Sequence, residues 1–167
     1  MDKGLDALDE LPEAIKESEE AVAETIENNI RKLITDEQPV NPKYYEKMSE
    51  LLDELIRQRR QQAIDYQKYL KELLELAKKV KDPREGEEYP EGLDTLAKRA
   101  LYDNLGKDEA LAIRIHEAVI SVKKADWRGN EIKEREIKRA IYQAIGQGAD
   151  IKEVERIFEI IKSQEEY

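Results

Sequence analysis

Three sets of residues in this chain have types and spacing that chemistry uses. Arg57, Arg59 and Arg60 fall in the polar tract RQRRQQ, residues 57–62, and offer guanidinium groups to a partner's carboxylates or to phosphate. Lys123, Lys124, Trp127 and Arg128 form the second set: an exposed indole beside an arginine anchors protein interfaces, and the cations suit phosphate. Glu131-Ile132-Lys133 and Glu136-Ile137-Lys138 each spell Glu-x-Lys, half of a metal-dependent nuclease signature. The other half needs an upstream Asp and a strand scaffold, which this stretch lacks.

Each set also has a plainer reading. Arg59 can lay its stem along an apolar seam while its guanidinium pairs with local carboxylates. A Trp next to a helix cap serves as a core plug, and Asp126, Glu131 and Glu134 offset the nearby cations. The Glu-x-Lys pairs fit ordinary ion pairing on a helix surface. His116 is the only His and there is no Cys, so no standard zinc site can be assembled. The phosphate-cradling words GxxxxGK[ST] and GxGxxG are missing, and no Ser has a His partner in a triad-like setting. The residues therefore designate no catalytic group, no metal ligand and no cofactor, and leave Arg57, Arg59, Arg60, Lys123, Lys124, Trp127 and Arg128 as candidate contacts to a partner or to DNA.

These residues are to be positioned by helices. From Asn41 to Lys81 no Gly or Pro interrupts after Pro42; Asn41 can cap the start, and Pro83 forbids continuation. Tyr45, Met48, Leu52, Leu55, Tyr66, Tyr69, Leu73, Leu76 and Val80 recur in steps that form one seam, which passes through Arg59 and Gln62. The pattern predicts one helix of roughly 55–60 Å, with two apolar halves and a charged waist. Before it, Ile15, Val22, Ile26, Ile30 and Leu33 predict a helix from Pro12 or Glu13 to about Ile34, folding back antiparallel on the N-terminal half of the long one through DEQPVN. Residues 1–11 read as a frayed or separate turn. The charged stretch 82–92 reads as a loop, and four shorter helices follow: Asp94 to Leu105, Asp108 to Lys124, Asn130 to Gly146, and a last one opened by an Asp150–Glu153 capping box. The expected fold is all-α: a helical bundle around one long central helix, with a helical hairpin in 1–81 and the 93–167 cluster packed on its second half, as one domain overall.

Charge and composition narrow the classes further. Of the 167 residues 41% are charged and 40% hydrophobic, and the apolar ones are periodic, which favours folding over disorder. Residues 1–37 hold four basic and twelve acidic side chains, a net −8 of the chain's −10. An acidic total opposes generic binding to phosphate backbones, though a local basic patch can still contact DNA. Without Cys there is no disulfide framework, which suits a cytoplasmic protein. No run reaches the ~20 apolar residues of a membrane span, and the acidic start is unlike a signal peptide.

The words of the sequence say more than its periodicity. AVAETIENNIRKLITDEQPVNPKYYEKMSELLDELIRQRRQQAIDYQKYL (21–70), KRALYDNLG (98–106), DWRGNEIKEREIKRAI (126–141) and VERIFEIIKSQEEY (154–167) resemble the C-terminal region of the R subunits of type I restriction enzymes. The resemblance is weakest in 1–11 and 82–92. It implies a piece of a larger cytoplasmic protein, for which Met1 need not be the natural start. R subunits carry a Mg²⁺-dependent nuclease domain and an ATP-driven DNA translocase, and restrict foreign DNA together with methyltransferase and specificity subunits. Their catalytic motifs, and with them ATP and Mg²⁺, belong to other domains. The expected role is a non-catalytic domain docking the R subunit onto the methyltransferase–specificity core. A DNA-contacting clamp, or an architectural element sealing the motor, are the other roles open to it.

Overall fold

The computed structural model describes residues 12–86 and 88–167, with side chains from 18–84 and 88–167; the turn expected in 1–11, and Ile15, lie outside these. Every regular element among them is helical. In sequence order these are α1 (Pro12–Glu37), a 3-10 turn (Gln38–Val40), α2 (Pro42–Arg60), α3 (Tyr66–Lys81), α4 (Pro83–Gly86), α5 (Leu96–Asn104), α6 (Glu109–Val122), α7 (Glu131–Ile145) and α8 (Ile151–Lys162). The described residues form two compact units, one of 12–36 with 47–85 and one of 37–46 with 86 and 88–167.

The expected single helix from Asn41 to Lys81 is not continuous. It breaks at residues 61–65, between α2 and α3. Gln62 takes φ +55°, its N–H still donating back to Arg59 O. Asp65 then caps a new helix by accepting from Lys68 N at 2.9 Å. The charged waist is therefore a corner. α3 returns alongside α2, so that Leu51 and Leu55 share one surface groove with Leu76 and Lys79. The helix formers in the tract outnumber its single cap residue, and propensity differs among such residues by only tenths of a kcal/mol. Bending lets α3 bury a seam within the same unit, which an extended helix would leave to other partners.

Most of the seam is buried: Tyr45, Met48, Leu52, Tyr69, Leu73, Leu76 and Val80, while Leu55 and Tyr66 beside the corner are half-buried. On α1 Ile26 and Ile30 are buried together with Ala23 and Ile34, and the expected Val22 and Leu33 are half-buried. Arg31 reaches Asp53 at 2.7 Å, setting α1 antiparallel beside α2, as the short DEQPVN connection requires.

In the second unit α5 packs on α6, α6 on α7 and α7 on α8, while α5 also meets α8 and closes a four-helix bundle. Its core includes Leu101, Ile115, Val119, Ile137, Ile141, Ile157, Phe158 and Ile161. The caps at Asp108, Asn130 and Asp150 form, each accepting a backbone N–H of the first turn, but Glu153 of the expected capping box turns to Arg156 instead. Two other details differ. α5 starts at Leu96 behind a Thr95 cap rather than at Asp94, which pairs with Lys98. The expected loop 82–92 contains the short helical turn α4.

A polar knot lies inside this unit. Asn41 donates to Asp103 at 2.8 Å and Asn104 donates to Asn41 at 2.7 Å, all three side chains being buried. Tyr89 donates its hydroxyl to Asp103 at 2.6 Å, and Gln164 donates to Val40 O at 2.6 Å. Asn41 Oδ1 also accepts from Tyr44 N, so the cap of α2 is itself fastened to α5. Buried amides and carboxylates with partners this complete favour one arrangement over near alternatives.

Candidate interaction surfaces

The first cationic set divides at the corner. Arg59 is drawn inward: its side chain is 14% exposed and it grips Glu27 through Nε at 2.9 Å and a second nitrogen at 3.2 Å. Glu27 is buried on the apolar stripe of α1 and also accepts the Tyr69 hydroxyl. Arg59 lies over the Tyr69 ring at 5.7 Å. Burial alone would lower the Arg59 guanidinium; the Glu27 carboxylate outweighs it and holds the group above its ordinary value. Burial, then Glu27, pushes the Tyr69 phenol up, so it stays a donor. Together the three groups form a charged plug within the unit.

Arg57 and Arg60 face outward. Arg57 binds Glu54 through two nitrogens and donates to Gln61 at 2.8 Å. Arg60 is exposed and has no hydrogen bond or ion pair with a described residue. It borders a shallow cleft with Glu19, Glu20, Gln62 and Tyr66. The Tyr66 hydroxyl is buried there with no hydrogen-bond partner among the described residues.

The second set is held mostly from within. Trp127 is 3% exposed and packs edge-on against Phe158, centroids 5.9 Å apart. It is a core plug, and the exposed anchor is not the form the structure takes. Arg128 covers its outer face at 4.5 Å and donates to the carbonyls of Lys162, Gln164 and Tyr167. These are carbonyls at and beyond the end of α8 that have no helical partner, so the Arg128 guanidinium caps that helix from outside. Lys124 pairs with Glu136 at 2.9 Å, and Lys123 is the C-cap residue of α6, half-buried. The adjoining loop is pinned as well, because Gly129 N donates to Glu134 at 2.8 Å and Lys133 donates to Ala125 O at 2.7 Å. The Gly129 N–H, helped by Lys162, holds the Glu134 carboxyl below its usual value against the opposing effect of burial.

The Glu-x-Lys residues are surface pairs of α7. Glu131 meets Arg135, Glu136 meets Lys124, and Lys138 meets Glu155 at 3.1 Å while lying over Phe158. His116 Nδ1 and the Tyr167 hydroxyl share a hydrogen bond at 2.6 Å, with Glu166 3.7 Å away. Burial lowers its pKa, only partly opposed by Glu166.

Three features had no reading in the sequence: Glu27 as a core acid, the Asn41–Asp103–Asn104 knot, and the groove of α2 and α3. For Glu27 the signal was Arg59 in an apolar seam, since a cation in that position calls for an opposite charge. The knot pairs residues more than sixty positions apart, and no local pattern announces it. Comparison with family models, with curated proteins and with solved structures finds no match for this protein.

Proposed function

We propose that this protein is a non-catalytic docking domain, the helical C-terminal part of a type I restriction R subunit, that holds a nuclease–translocase on its methyltransferase–specificity core. The resemblance of residues 21–70, 98–106, 126–141 and 154–167 carries the reading. The engagement of the cations supports docking over DNA contact. Arg59, Arg128 and Lys124 are occupied by Glu27, by backbone carbonyls and by Glu136, so they have little left to offer phosphate. In this reading ATP and Mg²⁺ are bound by other domains of the parent, and this part works by shape and apolar contact.

The test is to mix the protein with a methyltransferase–specificity complex and follow association by gel filtration and calorimetry. Co-elution with saturable heat is expected; no association at micromolar concentrations would sink the reading. A DNA-contacting clamp is favoured by one observation, the outward placement of Arg57 and Arg60 at the corner. It requires binding whose affinity falls with salt at a slope near −0.9 per phosphate neutralised. Duplex titration at low salt decides it.

A further inference from the structure

The groove between α2 and α3 contains apolar surface that the unit's own fold does not cover. Leu51 is 39% exposed there, beside half-buried Leu55 and the edge of Leu76. Leu51 and Leu55 stand one helical turn apart, so they make an apolar strip instead of two isolated side chains. Glu54, Glu72 and Glu75 flank the strip, with Lys79 also lining the groove. Glu54 is partly neutralised by Arg57. Glu72 and Glu75 make no hydrogen bond or ion pair with any described residue, and with Lys79 as the one cation lining the groove this rim stays net acidic. Residues 72 to 79 span about 10 Å of helix, room for two turns of a helix laid along the strip.

We infer that this groove receives an amphipathic helix of a partner protein, its leucine-type side chains set against Leu51, Leu55 and Leu76 and its lysines or arginines beside Glu72 and Glu75. The charge complementarity selects this occupant. A second copy of this acidic protein, or its own acidic segment 1–11, would bring like charge to the rim. The helix-in-groove mode reads anchors three and four residues apart, matching the spacing of the strip. The inference rests on the docking reading for the partner's identity; the groove's chemistry stands apart from it.

The probe is a synthetic helical peptide of about four turns, with leucines three and four apart and lysines flanking them. It is titrated into the isotope-labelled full-length protein and followed by amide chemical shifts. A twin peptide has glutamates in place of the lysines. Saturable shifts centred on Leu51, Leu55 and Leu76 are expected with the lysine peptide, and at least about tenfold weaker binding with the twin. The double variant Glu72→Lys, Glu75→Lys changes exposed or half-exposed side chains, and should weaken the lysine peptide by a similar factor while the far-ultraviolet spectrum is unchanged. Equal binding of both peptides, shifts centred elsewhere, or no shifts would overturn the inference. The methyltransferase–specificity complex separates the two claims. If it fails to bind the wild type while the groove takes the lysine peptide, the docking reading fails and the groove stands. If it binds the wild type and the double variant equally, the groove is not the docking surface.

Discussion

Glu27 is the residue on which the first unit's polar interior turns. It is 5% exposed, and its oxygens serve Arg59 and Tyr69 together. Removing one member of a buried ion pair leaves the other desolvated and alone, which is worth more than the pair's own attraction. Arg59→Gln should therefore lower stability by about 2 kcal/mol, less than the loss of a fully buried partner because Arg59 keeps some water. Arg57→Gln and Arg60→Gln should stay within about 0.5 kcal/mol, as exposed substitutions do. Urea titration of the three variants checks both statements, and equal effects would remove Arg59's special place. His116 gives a second test at this scale. Its folded pKa lies below the ordinary 6.5, so its neutral form is favoured in the native state. Its contribution to stability is present above pH 6.5 and is lost as pH falls through the lowered folded value. Lys98 adds to the lowering, while Glu166, Glu117 and Asp94 oppose it. Melting temperatures of the wild type and His116→Gln should diverge in acid, with the variant flatter between about pH 7 and 5; parallel curves would refute the assignment.

The corner between α2 and α3 is decided at the level of the element. Gln62 sits at φ +55°, a region that carries a steric penalty for residues with a Cβ and a larger one for branched ones. Gln62→Gly should leave stability unchanged or raise it, whereas Gln62→Val should lower it by about 1–2 kcal/mol. Asp65→Ala removes the cap of α3 and should cost about 1 kcal/mol. If the backbone instead ran as one helix through 61–65, Gln62→Gly would destabilise and Asp65→Ala would stabilise, so the signs in thermal melts discriminate. The other elements end as their sequences direct. Gly146 takes φ +83° at the end of α7, where a Cβ would be strained, and Gly106 takes φ +66° past α5. The polar knot joins elements instead of ending one. Asn104→Leu leaves Asn41 short of a partner in a buried place and should lose about 2–3 kcal/mol by denaturant titration.

At the scale of the whole molecule, charge and surface bear on function. A net charge of −10 repels nucleic acid at long range. Several cations that would counter this are used to close the fold: Arg128 ends α8, Arg59 fills the plug, and Lys138 bridges α7 to α8. The triple variant Arg57→Gln, Arg59→Gln, Arg60→Gln should accordingly lose stability without losing association with the methyltransferase–specificity complex, as read by calorimetry well below its melting temperature. Loss of association in a protein that remains folded would return the corner to function. No described helix is long and apolar enough to cross a membrane.

Much was legible from local sequence because helices and their caps are local objects. Apolar residues three and four apart marked the buried stripes of α1, α2 and α3, and Asp108, Asn130 and Asp150 marked the starts of α6, α7 and α8. The same periodicity could not distinguish one helix of forty residues from two folded against each other, since a seam reads identically in both. That choice depended on what the second half would bury, with one positive-φ residue and one cap to effect it. Glu27 with Arg59, and Asn41 with Asp103 and Asn104, were invisible for a related reason. A buried polar group is stable only with its partner, and the partner is supplied by another helix. The residues by themselves determined an all-helical, acidic protein with its stripes and caps in place; tertiary packing decided where the long seam turned and which charges it enclosed.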